Sequence, residues 1–480
     1  MARNRKALPL LEGIRIEQIA AEGQALAHHD GEVIFVPFAA PGDICTLQVV
    51  KKRKRMMQAR LVSIEEPSSL RRQAPCSHFT ICGGCKWQHI YYSAQLEAKE
   101  QQVHDAMERI AKVSIKEWLP IVGSEEEFHY RNKVEFTFSN RKWLTEKEIE
   151  ESSDNLNPQD WYGLGFHIPG RFDKVLDIKE CYIASSLANR IRNFIREYTL
   201  QSEHPYTYFD LREQTGILRT MMVRTSSTGE AMLLLSFAEN NSTLIEGILN
   251  AIKQQFPELT SLLWVLNQKR NDTFADLPIA CFSGKDYITE RLGGLLFKIG
   301  AKSFFQTNTA QAERLYSIVK KFADLSGEEV VYDLYTGTGT IANYLAPAAQ
   351  KVVGIEYVPE AIEDAHTNSE LNGIRNTLFF AGDMKDILTA SFIEEHGHPD
   401  IIVTDPPRAG MHESVLSTIL QAKPKKIVYV SCNPATQARD VAILVEGGYS
   451  VSKGQPVDLF PHTHHVENVL LLEQAEVISN

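Results

Sequence analysis

The feature that most constrains the fold of this 480-residue chain is a change of pattern near residue 325. From there on, short apolar runs alternate with stretches of helical pattern. Continuous apolar strands separated by helices are typical of a doubly wound parallel sheet, and ligands bind such sheets outside the carboxyl ends of the strands. The polar residues that end these runs are therefore candidates for function. The predicted strands are 330–334, 351–356, 378–381, 401–405, 427–431 and 469–473.

Two further domains are predicted before this sheet. Short β-like runs separated by turn signals fill 8–66 and predict a small OB-like β-barrel, a fold that often binds oligonucleotides. Residues 121–290 alternate short strands with a few helices and predict a mainly antiparallel α+β domain. Within them, the polar and acidic stretch 141–160 is interpreted as an exposed loop or short insertion. We expect an α/β protein with domains at 1–66, 74–290 and 291–480.

Composition limits the functional classes. No run approaches 18 apolar residues and the N-terminus lacks the apolar core of a secretory signal, so neither a membrane span nor secretion is expected. Seven cysteines are too few for a disulfide scaffold, and we expect a cytoplasmic monomer. The net charge of −11 disfavours a simple polyanion binder. Residues 1–72, however, hold 12 Lys/Arg against 8 Asp/Glu, including Lys51–Arg55, which predicts either a phosphate-contacting patch or a solvated strand end.

A cofactor loop is predicted where the first strand of the parallel sheet ends. Asp333 ends that strand, and Gly337 and Gly339 open the turn into a helix, where glycine lets backbone approach a ligand closely. Glu356 ends the second strand and can accept hydrogen bonds from both ribose hydroxyls. Asp383 ends the third strand and can hold an adenine amino group.

The same glycine pattern occurs in dinucleotide folds, which remain an alternative at this point. The dinucleotide fingerprint places a third glycine where this chain has Ala342, a residue it sometimes tolerates. The run Asp405-Pro-Pro407 at the end of the fourth strand is typical of methyltransferases. It favours S-adenosylmethionine as the cofactor.

A nucleophile and a base are predicted near the C-terminus. Cys432 follows an apolar strand within 429–434, and Glu467 ends the run 460–467. Methylation of uracil carbon 5 requires a thiolate to add at carbon 6 and a base to remove the carbon 5 proton, so these two residues fit the chemistry. Cys432 could instead be a small buried hydrophobe and Glu467 a surface charge. Clustered histidines also allow a zinc site, here at His462, His464 and His465.

Three cysteines in ten residues indicate a metal or cluster site. Cys76, Cys82 and Cys85 have the spacing C-x5-C-x2-C, and Gly83-Gly84 allows a tight turn between the last two. Thiolates suit both zinc and an iron–sulfur cluster. A closed site needs a fourth ligand, for which Cys181 is the candidate.

Two resemblances to known families follow from these motifs. Residues 27–37 and Pro41-Gly42 resemble a TRAM domain, an RNA-binding barrel. Nearly the whole chain resembles an RNA uracil-5-methyltransferase of the TrmA/RumA type. The motifs that carry this second resemblance are Phe304-Phe-Gln-Thr-Asn308, Asp333-Leu-Tyr-Thr-Gly-Thr-Gly339, Asp405-Pro-Pro-Arg-Ala-Gly410, Ser431-Cys-Asn-Pro434 and Phe460-Pro-His-Thr-His-His-Val-Glu467.

The resemblance implies specific roles and partners. It implies that Cys432 is the nucleophile and Glu467 the proton acceptor. It further implies RNA as the substrate, with 23S rRNA favoured over tRNA. The implied contacts with S-adenosylmethionine are Gln306, Tyr335, Glu356 and Asp405, with Asp383 at the adenine, and the implied ligands of a [4Fe–4S] cluster are Cys76, Cys82, Cys85 and Cys181.

The chain departs from the pattern of this family at two positions, and two other functions are alternatives to uracil methylation. Tyr335 stands where Phe is common, and Thr340 where some members carry Asn. RNA cytosine-5 methyltransferases typically carry a cysteine within the Asp-Pro-Pro-like motif, where this chain has Arg408. A non-catalytic RNA-binding iron–sulfur protein is the other alternative, and it predicts that Cys432 is dispensable.

Overall fold

The computed structural model describes residues 8–151 and 157–475. The chain forms two compact units. The first comprises Met1–Glu127, Pro406–Met411 and Tyr429–Asn480, and the second comprises Phe128–Asp405 and His412–Val428. Among the described residues, none of the helices combines the length and the apolar character that crossing a membrane requires.

The first unit begins with a six-stranded sheet, which we call the N-terminal sheet. Alternate residues of its long strands are buried, so that one face packs a core that includes Ile34, Cys45 and Leu47. Within the described residues no ladder joins its two end strands, so the closed OB-like barrel stays a prediction. In spatial order the strands are Leu10–Arg15, Ile44–Arg53, Met56–Glu66, Glu32–Val36, Ala25–His29 and Gln18–Ile19.

The rest of the first unit contains two long paired strands near the C-terminus, a short edge strand and helices. Tyr449–Val457 pairs antiparallel with Glu467–Gln474, and Glu117–Trp118 adds a short parallel edge. Three helical segments accompany them. These are Tyr92–Ala106, its continuation Met107–Ala111 with π-helical hydrogen bonds, and Pro434–Glu446.

The second unit contains an eight-stranded central sheet. Neighbouring strands within this sheet are antiparallel except for two parallel pairs. This confirms the prediction of a mainly antiparallel sheet with helices. In spatial order its strands are Ile279–Gly284, Ser261–Leu266, Ala231–Phe237, Leu218–Thr225, Lys133–Ser139, Gly163–Ile168, Arg171–Asp177 and Lys142–Trp143. The helices Ser186–Gln201 and Ser242–Gln255 begin at Ser185 and Asn241, whose side chains accept hydrogen bonds from the first turn.

The interpretation of 141–160 as a loop was wrong in part. This stretch contains the strand Lys142–Trp143, the helix Glu146–Glu151 and a 3-10 turn at Pro158–Trp161, whereas 152–156 lie outside the described residues. The helix forms because the Glu148 carboxylate accepts hydrogen bonds from the backbone and hydroxyl of Thr145, while the Thr145 hydroxyl accepts from the Glu148 backbone.

Four of the six predicted parallel strands lie side by side in the same unit, whereas the predicted strand 469–473 lies within Glu467–Gln474 and pairs antiparallel with Tyr449–Val457. The order of these four is Thr377–Ala381, Lys351–Glu356, Val330–Leu334 and Ile401–Thr404, all parallel. The order reverses at Val330–Leu334, because the next strand in sequence lies on one side of it and Ile401–Thr404 lies on the other. Such a reversal opens a crevice at the carboxyl ends of the strands. Asp333 and Asp405 lie at this point.

The remaining elements connect these sheets. Tyr287–Leu292 and Leu295–Gly300 form a hairpin whose turn residues, Gly293 and Gly294, have φ of 58° and 83°. The division between the two units falls inside the strand Lys426–Ser431. Seven further helices of the second unit are Thr309–Ala323, Thr340–Leu345, Pro359–Leu371, Met384–Ile387, Ala390–His396, Glu413–Ala422 and the 3-10 turn Ala346–Ala348.

Candidate active site

Asp333 lies at the centre of the crevice in the second unit. Its side chain is fully buried, and its Oδ2 accepts hydrogen bonds from the Thr336 hydroxyl at 2.5 Å and the Ala342 backbone N–H at 3.0 Å. Its Oδ1 has no hydrogen-bond partner among the described residues. Burial, together with the nearby carboxylates of Asp405 and Glu356, raises the pKa of Asp333 to about 7. The site therefore holds a carboxyl group that a cationic ligand would ionise.

The backbone of the 335–339 turn leaves room beside this carboxylate. Tyr335, Gly337 and Gly339 all have positive φ, at 65°, 56° and 74°. A Cβ on Gly339 would lie 2.9 Å from the Cβ of Ala365, whereas a Cβ on Gly337 would meet nothing within 4 Å. Gly339 is thus required for packing against the helix Pro359–Leu371, and Gly337 faces open space that a ligand can fill.

The acidic ends of the second and third strands lie beside the turn. Glu356 accepts hydrogen bonds from the backbone N–H groups of Gly337 and Val358, each at 3.1 Å. Asp383 accepts from the Lys385 backbone N–H and forms an ion pair with the Lys385 ammonium at 3.0 Å, which together lower the pKa of its carboxyl group. Asp383 is thus also a helix cap, a structural use that competes with the predicted contact to adenine.

Asp405 completes the acidic cluster. Burial raises the pKa of Asp405 above its ordinary value. None of the described Lys, Arg or His side chains forms an ion pair with Asp333, Glu356 or Asp405. Three carboxylates gathered without a cation create a negative potential at the crevice.

The stretch that contains Gln306 is placed against the same turn. The Thr338 hydroxyl lies 3.5 Å from the backbone carbonyl of Phe304, and the Gln306 carbonyl accepts a hydrogen bond from the Asn132 amide at 3.0 Å. Phe304 itself is 69% exposed, as is Tyr357, the residue after Glu356. The Thr340 hydroxyl lies 3.2 Å from the Tyr316 hydroxyl. Glu356 and the stretch that contains Gln306 thus contact the 335–339 turn, and the cofactor roles of the five residues stay predictions.

Cys432 lies in the first unit, between the end of a strand and the start of a helix. It is partly buried. The next residue, Asn433, caps the helix Pro434–Glu446, and its amide donates to the Arg408 carbonyl at 3.0 Å. The Thr436 hydroxyl donates to the same carbonyl at 3.1 Å. The residues after the Asp-Pro-Pro motif are therefore fastened to the turn that presents the thiol.

Glu467 begins a buried strand, and one side chain links it to the strand that carries the cysteine. Glu467 is 4% exposed. The Gln437 amide donates to the carbonyl of Tyr429 at 2.9 Å and to that of Asn468 at 3.2 Å, while its oxygen accepts from the Asn468 amide at 2.8 Å. Gln437 and Asn468 are fully buried. This bridge therefore fixes the strand that precedes Cys432 to the strand that begins with Glu467.

The loop before Glu467, residues 458–466, is held by a buried ion pair. The Lys99 ammonium lies 2.6 Å from Asp458 Oδ1, and both side chains are 0% exposed. Lys99 also donates to the Phe460 carbonyl at 3.0 Å, and the Tyr92 hydroxyl donates to Asp458 at 3.0 Å. Burial lowers the pKa of Lys99, whereas the Asp458 charge opposes that shift.

His462 is held on three sides within this loop, which we call the base loop. Its backbone N–H donates to the Gln95 oxygen at 2.9 Å, and its Nδ1 lies 3.1 Å from the Gln95 amide nitrogen. Its carbonyl accepts from the backbone N–H groups of Lys86 and Trp87. These contacts hold His462 at a φ of 66°, a conformation that costs energy for a non-glycine residue. Burial and the charges of Arg72 and Lys99 lower the pKa of His462 to about 3, so its ring stays neutral.

The predicted cluster ligands Cys76, Cys82, Cys85 and Cys181 are partly buried, and their role as ligands stays a prediction. Cys82 Sγ accepts the Gly84 backbone N–H at 3.4 Å, and the Cys181 backbone is held by Asn189. Thiolate side chains suit iron or zinc chemically, but the described residues include no group of three or more His, Cys, Asp or Glu side chains placed to hold an ion. His462, His464 and His465 likewise form no such group within the part of the chain that the structure describes.

Sequence reasoning missed the residues that position the base loop. Lys99 and Gln95 look like ordinary solvent-facing residues of a polar helix, and a buried lysine is rare. Asn468 offered a usable signal, because it is a polar residue at the start of a buried apolar strand. Tyr357 also offered a signal, because it is an aromatic residue directly after Glu356, the acidic end of the second parallel strand.

The chain is similar to known RNA methyltransferases. A family model described as tRNA (uracil-5-)-methyltransferase matches residues 281–475. An uncharacterized RNA methyltransferase of Porphyromonas gingivalis (strain ATCC BAA-308 / W83) is 60% identical over 460 residues, which cover 96% of this chain and 99% of that protein. Another, of Bacteroides thetaiotaomicron, is 52% identical and covers 95% of this chain and 100% of that protein.

A solved structure is similar over the full length. The crystal structure of Pyrococcus abyssi tRNA (uracil-54, C5)-methyltransferase in complex with S-adenosyl-L-homocysteine has a TM-score of 0.74 and 28% sequence identity. The similarity covers 96% of this chain and 100% of that chain.

Proposed function

We propose that this chain, which belongs to the RNA methyltransferase family of these relatives, transfers a methyl group from S-adenosylmethionine to carbon 5 of a uridine in RNA. The observation that carries the proposal is the bridge through Gln437, which fixes the strand before Cys432 to the strand that begins with Glu467. A thiol and a carboxylate held in this way supply the two groups that the reaction needs.

Cys432 is the proposed nucleophile. Carbon 5 of uracil is a poor nucleophile by itself. When the Cys432 thiolate adds to carbon 6, the electrons of the carbon 5–carbon 6 double bond move toward carbon 5 and the carbonyl oxygen at carbon 4. Carbon 5 then takes the methyl group, and the electrons of the broken sulfonium–carbon bond stay on sulfur, which yields S-adenosylhomocysteine.

Glu467 is the proposed base of the second half. Its carboxylate takes the proton from carbon 5, the double bond re-forms, and the thiolate leaves carbon 6. Because Glu467 is 4% exposed, bulk water is excluded from this proton transfer. The base loop fixes the direction from which the carboxylate approaches.

The acidic crevice of the second unit is the proposed cofactor site. S-adenosylmethionine carries a sulfonium and an ammonium group, which suit three carboxylates that lack a cation. We assign Glu356 to the ribose hydroxyls, Asp383 to the adenine amino group, and Gln306, Tyr335 and Asp405 to further contacts with the cofactor. The exposed ring of Tyr357 is suited to lie against the adenine.

Two RNA substrates are proposed in turn. Our first expectation is 23S rRNA, from the resemblance of the motifs. The second candidate is tRNA, which is favoured by the similarity to a solved enzyme that acts on uracil 54 of tRNA. Methylation of purified 23S rRNA and of tRNA from a strain that lacks the gene, each mapped by primer extension, separates these two substrates.

The cysteine ligands remain a separate proposal. The family resemblance predicts a [4Fe–4S] cluster on Cys76, Cys82, Cys85 and Cys181, with a structural role. Iron and sulfide content and visible absorbance of protein purified without oxygen test it. Zinc without iron would favour the alternative.

Labelled methyl donor and RNA test the proposed activity directly. We expect the wild type to produce 5-methyluridine, and Cys432→Ala to lose activity by several orders of magnitude while it keeps its fold. Cys281→Ala is the matched control, because Cys281 is exposed and lies in the other unit. Full methyl transfer by Cys432→Ala would contradict the role of Cys432 as nucleophile. A wild type that binds RNA but transfers no methyl group would favour a non-catalytic RNA-binding protein, and 5-methylcytidine as the product would favour a cytosine enzyme.

A further inference from the structure

A pocket of about 570 Å³ opens beside the base loop, within the first unit. This volume is in the range of sites that hold small organic groups. One wall is the N-terminal sheet, with Phe35, Val50 and Arg60. Lys86 and His464 of the base loop also line the pocket. None of these residues has a role in the reaction described above.

The pocket is built by a close approach at Gly23. A Cβ at Gly23 would lie 3.1 Å from the Cβ of His464 and 3.2 Å from that of Lys86, and its φ of 77° also favours glycine. The Gly23 carbonyl accepts a hydrogen bond from the Trp87 indole at 3.1 Å. The N-terminal sheet, the segment that contains Lys86 and the base loop are thus fixed against one another on one side of the pocket.

The charge of the pocket suits an anion. Arg60 and Lys86 line it, and neither side chain forms an ion pair with any described residue. Glu22 is the one acidic residue in the described lining. Two cations against one carboxylate leave the lining with a net positive charge, which is typical of a phosphate contact.

His464 adds a polar group that lacks a partner. Its Nδ1 is buried and has no hydrogen-bond partner among the described residues. Burial and the charges of Lys86, Lys99 and Arg408 lower the pKa of His464, so a neutral ring can offer one donor and one acceptor. A buried polar atom without a partner is costly, and a bound polar group would satisfy it.

The other lining residues suit a flat apolar group. Phe35 is partly buried, and Val50 is 51% exposed although it lies on a sheet of a folded unit. Phe38 lies beside them at a φ of 63°, with its ring edge-on to Phe79. Aromatic side chains next to unpaired cations are the usual combination where single-stranded nucleic acid binds.

We propose that this pocket holds a nucleotide of the RNA substrate that neighbours the target uridine, with its base against Phe35 and Phe38, its phosphate on Arg60 and Lys86, and its base edge at His464. This inference rests on the proposed function. His464 precedes Glu467 by three residues, a separation that spans at most about 11 Å of extended chain. An RNA strand that presents one uridine to Glu467 can therefore place a nearby nucleotide in the pocket. The enzyme would then recognise a short RNA sequence around its target uridine.

Steady-state kinetics with RNA test the proposal. We expect Arg60→Gln/Lys86→Gln to raise KM for RNA at least tenfold, with kcat and the affinity for S-adenosylmethionine unchanged. The control Arg15→Gln/Lys116→Gln removes the same charge from exposed residues of this unit outside the pocket, and we expect less than a threefold change. Equal KM values for the two double variants would overturn the proposal, and so would a loss confined to kcat.

A crosslink identifies the occupant without relying on kinetics. With p-benzoylphenylalanine in place of Val50, we expect light to join the protein to one nucleotide close to the modified uridine, as mapped by primer extension. Crosslinks scattered over the RNA, or none, would contradict a defined subsite. Wild-type protein in the same reactions separates the two hypotheses. If it transfers no methyl group, the proposed function fails; if it does and the variants behave as the controls, only the pocket fails.

Discussion

Two sets of buried carboxylates differ in how their charge is balanced. Asp458 in the first unit has its own cation, since Lys99 lies 2.6 Å away and both side chains are 0% exposed. Asp333 and Asp405 in the second unit have none, and burial raises the pKa of both. The first arrangement is complete without a ligand and holds a loop in place. The second leaves a charge to be balanced by what binds there, which is typical of a functional site.

The largest effect is expected from breaking the complete pair. Lys99→Met leaves the Asp458 carboxylate buried without its cation, and we expect a loss of about 3–5 kcal/mol in the free energy of unfolding. Denaturant unfolding measures it. Lys99→Met/Asp458→Asn should recover at least half of the loss, because the asparagine keeps an acceptor for the Phe460 backbone N–H.

The surface pair Lys425–Asp400 is the control for this experiment. Lys425 is 78% exposed, so Lys425→Met should leave the unfolding midpoint unchanged. An equal loss in Lys425→Met and Lys99→Met would show that burial does not distinguish the two pairs. A mild effect of Lys99→Met alone would contradict the cost expected for a buried carboxylate that has lost its cation.

The second largest effect is expected on the position of the Glu467 carboxylate, the proposed general base, rather than on stability. Gln95→Met removes the acceptor of the His462 backbone N–H, and a displacement of about 1 Å at a reacting group can lower a rate about 100-fold. Because proton removal comes after methyl transfer, we expect the methylated covalent complex of protein and RNA to accumulate. A denaturing gel detects it as a band of reduced mobility.

Gln101→Met on the same helix is the matched control, since Gln101 contacts only Asp105 at the surface. We expect it to turn over normally. If Gln95→Met slows the reaction without a persistent complex, the base loop affects a step before methyl transfer, and the role assigned to Gln95 is wrong.

A pH dependence follows from the second set of carboxylates. The pKa of Asp333 is raised from 3.8 to about 7 in the folded protein without ligand, so the contribution of this group to stability is present below its ordinary pKa and is lost as the pH rises through 7. A cationic ligand favours the ionised form. We therefore expect S-adenosylmethionine to bind up to about tenfold more tightly per pH unit as the pH rises toward 7, and to level off above it.

Isothermal calorimetry between pH 6 and 8 measures this dependence, together with the protons released on binding. Asp333→Asn should weaken binding and reduce the slope of the profile, because an amide cannot ionise and only Asp405 then contributes a raised pKa. A wild-type affinity that does not change across this range would contradict an uncompensated carboxylate at the cofactor site.

The smallest effect is expected at Asp383. Its carboxylate is 39% exposed and already paired with Lys385, so the removal of its charge should weaken cofactor binding only about threefold. Calorimetry of Asp383→Asn, with Lys385→Gln as the companion variant, measures it. A loss as large as that of Asp333→Asn would place Asp383 among the uncompensated carboxylates instead.

The parallel sheet was predictable because its signal is local. The runs 330–334 and 351–356 have the bounds of the observed strands, and the acidic residues that end them lie at the crevice as expected. A continuous apolar run buried on both faces leaves few alternatives. The closed barrel, the metal ligands and the domain limits at 66, 74, 290 and 291 stay predictions, since they depend on contacts that no local pattern specifies.

The side-chain contacts that hold the base loop and the two strands were not predictable, because they also depend on contacts between distant parts of the sequence. Lys99 and Asp458 are 359 residues apart, and nothing near either residue indicates that its charge is buried. The bridge through Gln437 likewise joins residues that the sequence separates. Motifs therefore predicted the reacting groups, whereas the side chains that hold their strands and loop emerged only from the fold.

The most direct test of the central claim is the fate of the RNA on Glu467→Gln. In the presence of S-adenosylmethionine and substrate RNA, we expect a stable complex in which mass spectrometry finds Cys432 bonded to carbon 6 of a methylated uridine. Release of free 5-methyluridine-containing RNA at the wild-type rate, or a bond to any residue other than Cys432, would contradict the account.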